Sequence, residues 1–544
     1  MKIFNYRSLT GVLMLTLALS SCSGFLDEEN HTSITIETAL TNSETFDRLV
    51  ASVYERSRLY TTRYNPDMYY ILEDLGTDIA TRKSALSGSN ELNDYINVSS
   101  TNWVFQVYWG NQYSIISAAN IAIDNAEVIE GVDEEVKGRG VGEVKFFRAW
   151  SYFQLVENFG GVPLIVNKVE TAETNYTKAS EEEVYEQIVS DLEDALNAVE
   201  ESPVYGRVSK GAVRHLLSKV LLTRGNKSFA EGTDYTRAIS LAETIIADHS
   251  LVPSFADLMS EDNQRNSEVV FSYLFGSDAS VQGWGNSRHM MYKFDYFKYP
   301  GMLPTSSTYQ RGFNNNASTP TPFFYSLFED DDERAEVTFR RVIYAEEDSE
   351  DGTIIAGDTA IYFPEIAWSS AQISAVNYAV INPGTYFTSD PYTNVHYPMF
   401  RKFDEPGVVW AQPDQRSEGT RDMVMMRSGE AYLIAAEAYL QSGNASAAAG
   451  LLTTLRSRSG LTAAVTASEV DIDFILDERA RELVGEVNRW MDLKRTGKLV
   501  ERTLAHNPHA ALHNTLSAKH RLRPIPQYEV DASNGSIEQN EDYN

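Results

Sequence analysis

Apolar residues along most of the chain recur at the three- and four-residue spacing of amphipathic helices. The clearest example is residues 427–461, where one apolar face is followed by a Gly443-Asn444 turn and then by a second apolar face. The first face contains Leu433, Ala436, Tyr439 and Leu440, and the second contains Ala448, Leu451, Leu452 and Leu455. This pattern predicts a helix–turn–helix pair that resembles a tetratricopeptide repeat.

Three further segments show the same pattern. They are residues 211–247, residues 141–200 and, more loosely, residues 43–130. The second helix of the 141–200 pair is expected to begin at Ser180, because Ser180 with Glu183 three residues later forms a capping-box sequence. One such pair cannot bury its own apolar face, whereas stacked pairs can. The predicted fold class is therefore mainly α, with a scaffold of tetratricopeptide-like repeats.

A long segment without this periodicity separates the last two pairs. Residues 250–425 are rich in Gly, Pro, Asn, Ser and aromatic residues, and residues 60–108 form a smaller stretch of similar character. We expect loops and short strands laid over the helical scaffold, which is where binding residues usually lie.

The first residues read as an export signal. Lys2 and Arg7 precede the apolar residues 9–19, a stretch that is too short to span a bilayer, which needs about 20 residues. It ends in Leu19-Ser20-Ser21-Cys22, which resembles the lipobox of bacterial lipoproteins. That resemblance implies cleavage before Cys22 and acylation of its sulfur and amine, which would hold the protein on a membrane. We expect residues 1–21 to be a signal peptide and residues 22–544 to form one domain.

Charge and cysteine usage narrow the function further. The formal net charge is −31, and it becomes −33 when residues 1–21, with two basic and no acidic residues, are removed. Such a surface repels phosphate backbones, so we expect no nucleic-acid partner. Cys22 is the only cysteine, so the mature chain has no disulfide and no thiol-based metal or redox site.

Four segments together resemble the SusD/RagB family of outer-membrane lipoproteins. They are residues 142–164 (GEVKFFRAWSYFQLVENFGGVPL), the 427–461 repeat, residues 476–495 (LDERARELVGEVNRWMDLKR), and Leu522-Arg523-Pro524-Ile525-Pro526 followed by Gln539-Asn540. The chain departs from the family pattern at Gly485-Glu486-Val487-Asn488, where a Glu-Gly pair is commoner, and at Glu541-Asp542, where Pro-Gly is commoner.

The resemblance implies a SusD-like helical fold, no catalytic activity and no cofactor. It also implies a role as the extracellular lid of a SusC-like TonB-dependent transporter in the outer membrane. In that role the protein captures oligosaccharides or, less often, peptides.

Neutral glycans are bound by flat aromatic faces together with polar side chains that pair with sugar hydroxyls. The 250–425 segment offers many rings, of which Trp284 is favoured because Gly283 and Gly285 flank it. In the 60–108 segment we expect Asp78, Arg82 and Trp103 to take part. The other candidate rings are Tyr292, Tyr296, Tyr299, Trp368, Tyr386, Tyr392 and Trp410.

Other chemistries remain as alternatives. Peptide capture on the same scaffold is the second hypothesis, and a surface glycoside hydrolase with two carboxylates across a cleft is the third. The carboxylates of LDERARELVGE are expected to be charge-paired within a structural helix, with Arg479 and Arg489 beside the row Glu478, Glu482 and Glu486. His506, His509 and His513 are expected to lie in a solvent loop and to bind no metal, because Pro508 interrupts the helix that would align them.

Overall fold

The computed structural model describes residues 43–62, 72–83, 88–171, 175–278, 285–310, 312, 318–387, 396–408, 419–486 and 489–543. Cys22, and with it the predicted signal peptide and lipobox, lies outside the described residues.

Helices dominate the described part of the chain, so the predicted mainly α fold class is confirmed. The helices are α1 (Ser43–Thr62), α2 (Ser89–Asp94), α3 (Trp103–Val128), α4 (Glu134–Phe159), α5 (Glu181–Ala198), α6 (Lys210–Arg224), α7 (Asp234–Asp248), α8 (Phe255–Met259), α9 (Pro322–Ser326), α10 (Glu333–Thr338), α11 (Ser370–Ile373), α12 (Ser428–Gln441), α13 (Ala445–Arg458), α14 (Ile472–Leu483), α15 (Arg489–Arg495), α16 (Leu499–His506), α17 (Pro508–His513) and α18 (Gln527–Ala532).

The strands are short and pair over long sequence distances. They are β1 (Ala80–Arg82), β2 (Val269–Tyr273), β3 (Ser318–Pro320), β4 (Phe339–Arg340), β5 (Val342–Tyr344), β6 (Thr359–Tyr362), β7 (Ala379–Val380), β8 (Met399–Phe400) and β9 (Met423–Arg427). The antiparallel pairs are β1 with β3, β2 with β9, and β4 with β8. In the three-stranded sheet, β5 is antiparallel to β6, and β6 is parallel to β7.

Successive long helices pack against one another in a stack. A long segment between α7 and α12, residues 249–427, interrupts the stack, and we call it the excursion. Contacts run from α1 to α3 and then in order through α4, α5, α6 and α7. The next member of the stack is α12, which packs on α7 and then on α13. The chain leaves the stack through β2 and returns to it through β9, and these two strands pair. The intervening segment is therefore anchored at its base by a two-stranded ladder.

Capping residues fix the starts of several of these helices. Ser180 accepts a hydrogen bond from the Glu183 backbone N–H, and Glu183 accepts one from the Ser180 backbone, so the predicted capping box is confirmed. The side chains of Ser209 and Asn444 cap α6 and α13 by accepting from the backbone N–H groups of Ala212 and Ala447. Gly443 adopts a φ of 80° in the turn between α12 and α13, a conformation that glycine adopts without strain.

The apolar residues form separate cores in the two parts of the fold. The largest core lies between the stacked helices and includes Phe146, Leu216 and Ile434. A second core lies within the excursion around Phe294 and Ile343. Within the described residues, no helix is both long and apolar enough to cross a membrane.

The acidic residues on the last turns of α14 and just beyond it are buried in a network of ion pairs. Glu478, Glu482 and Glu486 are joined by cations from other segments of the chain, namely Arg334, Lys402, Arg427, Arg456 and Arg458. Arg481, on α14 itself, also pairs with Glu478. The predicted partners are wrong. Arg479 pairs with Asp492 and Glu430, and Arg489 pairs with Asp78, because tertiary packing brings other guanidinium groups to these carboxylates.

Candidate ligand-binding groove

An open groove with a volume of about 630 Å³ lies beside β4, β5 and β6. We call it the Trp368 groove. Its lining consists of Glu336, Phe339, Arg340, Arg341, Val342, Tyr344, Tyr362, Pro364, Glu365, Ile366, Trp368 and Arg401. It is large enough for a small ligand or a short stretch of a longer one.

Trp368 is held in the groove wall by its own backbone. Its N–H donates to the Asn382 Oδ1 atom at 2.9 Å, and its carbonyl accepts from the Asn382 Nδ2 atom at 2.8 Å. The next residue, Ser369, caps α11 through a capping box with Gln372. Both main-chain groups of Trp368 are thus satisfied inside the protein, and its half-buried indole projects from a fixed position.

Two tyrosines accompany this indole. The rings of Tyr362 and Trp368 have centroids 5.2 Å apart at an angle of 59°. Tyr344 is 51% exposed, and its backbone N–H donates to the Tyr309 hydroxyl at 2.8 Å while its carbonyl accepts from that hydroxyl at 3.1 Å. The groove therefore presents partly exposed aromatic surface on a backbone that is tied down.

Three arginines line the groove. Arg340 donates to Asp404 at 2.6 Å and lies 4.9 Å from the centre of the Tyr309 ring. The Arg341 Nε atom is 3.3 Å from a carboxylate oxygen of Glu365. Arg401 is exposed, and among the described residues nothing pairs with its guanidinium. These donors suit hydroxyl or acidic groups of a ligand.

A second groove, of about 550 Å³, lies beside residues 201–209 and β2. Its charges are largely satisfied internally: Arg214 pairs with Glu201 and Asp248, and Arg207 pairs with Glu143. The guanidinium of Arg265 covers the ring of Tyr205, 4.8 Å from the ring centre. We therefore regard the Trp368 groove as the better candidate.

The structure corrects the expectation for three of the candidate tyrosines. Tyr292, Tyr296 and Tyr386 are 1%, 0% and 3% exposed, so their rings present no face to a ligand. Tyr296 and Tyr386 pack in the core of the excursion, and Tyr292 packs in a separate cluster of buried residues. The Tyr292 hydroxyl donates to Asp74 at 3.0 Å, and its ring stacks on Phe400. Burial raises the pKa of Tyr386 to about 12. Tyr299 is half-buried and its hydroxyl lies 2.5 Å from the His396 Nδ1 atom.

Asp78 and Arg82 also need correction, because both are buried in internal ion pairs. Arg82 donates twice to Asp94, at 2.8 and 2.9 Å. Asp78 accepts from Arg489 and Arg502. Although burial by itself raises the pKa of Asp78, the two guanidinium groups hold that pKa below its ordinary value. These side chains join distant segments of the fold.

Trp103 remains a candidate. It is half-buried at the start of α3, and the preceding Asn102 donates to the Gly88 carbonyl at 2.9 Å. A Cβ atom on Gly88 would lie 2.4 Å from the indole nitrogen, so only glycine fits beside this ring. Trp103 does not line the Trp368 groove. Trp284, Tyr392 and Trp410 lie outside the described residues.

The three histidines are placed differently from the expected solvent loop. His506 ends α16 and its ring stacks on Phe323 at 3.7 Å. His509 is buried, with its Nδ1 atom 2.7 Å from the Thr81 hydroxyl, and His513 lies 3.4 Å from Asp94. The three rings meet different partners, and the described residues contain no cluster suited to a metal ion.

Several groove residues were not predicted from the sequence. They are Arg340, Arg341, Tyr344, Tyr362 and Arg401. The available signal was Arg340-Arg341, the one Arg-Arg pair in a sequence with 77 acidic and 46 basic residues.

Fold and groove together define the class of protein: a stacked-helix scaffold whose long excursion carries an aromatic- and arginine-lined groove. A sequence model described as the SusD family matches residues 261–543, just over half of the chain. Another, described as starch-binding and associating with the outer membrane, matches residues 24–222. The chain belongs to the SusD family, which confirms the resemblance seen in its motifs.

Relatives and solved structures agree with this assignment. SusD-like protein P25 of Formosa agariphila is 24% identical over 519 residues, covering 90% of this chain and 89% of the relative. A laminarin-binding SusD-like protein has a similar structure, with a TM-score of 0.70, 23% identity, and coverage of 92% of this chain and 100% of that one. Surface glycan-binding protein A from Bacteroides thetaiotaomicron, in complex with laminarihexaose, is also similar in structure. Its TM-score is 0.68 and its sequence identity 19%, and the match covers 92% of this chain and 99% of that one. These structural likenesses show a shared fold.

Proposed function

We propose that this protein captures oligosaccharides at the cell surface and delivers them to a SusC-like TonB-dependent transporter in the outer membrane. The observation that carries the proposal is the Trp368 groove, where an indole and two tyrosines border arginine donors. Aromatic faces bind the C–H surface of a sugar ring, and the donors pair with its hydroxyls. The relatives named as laminarin- and glycan-binding proteins support the same substrate class.

We propose binding without turnover, which requires no pair of catalytic carboxylates. Two carboxylates, Glu336 and Glu365, line the groove, and Glu365 is paired with Arg341. Glu478, Glu482 and Glu486 are each at most 10% exposed at the side chain and are joined to cations, so they are not presented to a ligand. A glycosidase needs one carboxyl as acid and a second as base or nucleophile across the bond.

The proposed attachment to the membrane is inferred from the lipobox-like sequence that ends in Cys22. Acylation of Cys22 would tether residues 23–544 to the membrane and keep the groove beside the transporter. Radiolabelled palmitate should enter the wild-type protein and not a Cys22→Ser variant. Equal labelling of the two would remove the proposed anchor.

The binding proposal is tested on the protein lacking residues 1–22. Affinity electrophoresis against a panel of polysaccharides should retard the protein in at least one gel, with no reducing sugar released. Trp368→Ala and Tyr344→Ala should each weaken the retardation about tenfold or more, because each removes an aromatic face from the binding surface. Tyr528→Ala is the matched control, because Tyr528 is 54% exposed, much like Tyr344, and lies outside the groove.

Two results would contradict the proposal. Indifference to the whole panel would argue against glycan capture, and binding of mixed peptides in calorimetry would then favour the peptide hypothesis. Retardation that survives both groove substitutions would place the glycan elsewhere, with Trp103 the next residue to change.

A further inference from the structure

We propose that the Trp368 groove selects glycans that carry acidic groups, either uronic acid carboxylates or sulfate esters. This inference rests on the proposed function and adds the chemical class of the ligand. The inference starts from a difference in charge between the groove and the protein as a whole. The chain as a whole has a net charge of −31, whereas the lining of this groove contains three arginines and two glutamates.

Two of the three arginines are already paired. Arg340 donates to Asp404, which does not line the groove and is itself also paired with Lys293. Arg341 faces Glu365 at 3.3 Å. These pairs hold the two guanidinium groups in place, and the Arg340 group is further fixed over the Tyr309 ring.

Arg401 is the arginine that remains for a ligand. Its backbone is fixed, since its N–H donates to the Thr338 carbonyl at 2.8 Å and its carbonyl accepts from the Asp404 N–H at 2.9 Å. Its side chain is exposed and lines the groove, and no hydrogen bond or ion pair within the described ranges engages it. A guanidinium binds a carboxylate or a sulfate through two parallel hydrogen bonds, which a neutral hydroxyl cannot match.

The acidic surface sharpens this selection. The net negative charge of the protein repels an anionic glycan at long range, whereas Arg401 attracts such a glycan at the groove. Trp368 and the tyrosines would then bind the sugar ring whether it is charged or neutral. Arg401 would favour the acidic sugar over the neutral one.

The experiment uses matched pairs of ligands. The probes are oligogalacturonate, oligoalginate and sulfated fucan oligosaccharides, each beside its carboxyl-reduced or desulfated counterpart, and neutral laminarin oligosaccharides are included. Binding to the protein lacking residues 1–22 is measured by calorimetry. At least one acidic probe should bind about tenfold tighter than its neutral counterpart, and the responding pair shows whether carboxylate or sulfate is recognised.

The variants assign that preference to Arg401. Arg401→Gln should weaken binding of the acidic probe about tenfold and leave its neutral counterpart within about twofold. Arg521→Gln makes the same charge change at an exposed arginine outside the groove and should leave both affinities unchanged. If acidic and neutral probes bind equally and Trp368→Ala weakens both, the charge inference fails while the proposed function stands. If no glycan of either kind binds, the proposed function fails and this inference fails with it.

Discussion

The Trp368 groove and the buried network at the end of α14 both depend on arginine, and they use it in opposite ways. In the network, Glu482 accepts from Arg334, Arg427 and Arg458, and the side chains of all four are at most 3% exposed. In the groove, Arg401 is exposed, and the described residues offer its guanidinium no partner. An arginine whose partners lie inside the chain holds the fold together, whereas one left facing a cavity is available for a ligand.

The energetic consequences differ accordingly. Charges taken out of water carry a desolvation cost that their partners must offset, so removing one carboxylate leaves its cations buried with one counter-charge fewer. An exposed guanidinium remains hydrated and carries no such cost. Substitutions in the network should therefore change stability, and substitutions in the groove should change affinity.

The largest effect is expected from Glu482→Gln. The substitution removes the carboxylate shared by Arg334, Arg427 and Arg458, so we expect a loss of about 3–5 kcal/mol in the free energy of unfolding. Urea denaturation followed by circular dichroism measures it. Glu501→Gln is the control, since Glu501 is exposed and, among the residues described, pairs with Lys498 alone; it should cost less than about 1 kcal/mol. Equal costs for the two variants would show that the network does not stabilise the fold.

Lowering the pH should reduce the free energy of unfolding by a smaller amount. Burial alone raises the pKa of Glu478 and Glu486, but the neighbouring cations outweigh it and lower each pKa from 4.5 to about 2. A carboxyl whose folded pKa is lowered stabilises the protein above pH 4.5 and loses that stabilisation as the pH falls toward 2. The loss is at most about 3 kcal/mol for each group.

Thermal unfolding between about pH 5 and about pH 3 measures the first part of this loss. The Glu486→Gln variant has one fewer carboxyl to protonate, so its melting temperature should fall less steeply with pH than that of the wild type. Parallel slopes would contradict the lowered pKa of Glu486. The groove arginines keep their charge throughout this range.

The helical stack could be predicted from the sequence because its periodicity is local. The apolar faces of α12 and α13 and the Ser180 capping box follow from residues three or four positions apart. That α12 packs directly on α7 could not be predicted, because the contact crosses the whole excursion and depends on the pairing of β2 with β9.

The groove was mostly beyond sequence reasoning. Trp368 was among the candidate rings, but Tyr292 and Tyr386 were too, and a tyrosine in a loop-rich segment reads the same whether it packs in a core or faces solvent. The groove is assembled from short strands and an irregular segment that show no period. Arg340, Trp368 and Arg401 meet only through the tertiary fold.

The smallest effect, a change in glycan affinity, is expected from removing the side chain that holds the Trp368 backbone. Asn382 holds this residue through two hydrogen bonds to its backbone and does not itself line the groove. Asn382→Ala should free the 364–368 segment to move, so the indole spends less time in its binding position. We expect glycan affinity to fall about fivefold, or about 1 kcal/mol, through the loss of preorganisation. Calorimetry with the glycan identified in the binding screen measures the change.

A matched asparagine separates positioning of the indole from general loosening of the excursion. Asn377 is exposed, and its side chain donates to the Thr353 carbonyl, away from Trp368. Asn377→Ala should leave affinity unchanged, whereas Asn382→Asp keeps the acceptor for the Trp368 N–H, loses the donor, and should bind with intermediate affinity. If Asn382→Ala binds as tightly as the wild type, the indole needs no support from Asn382. The groove would then differ from the buried network in one further respect, because its geometry would not depend on the polar contacts behind it.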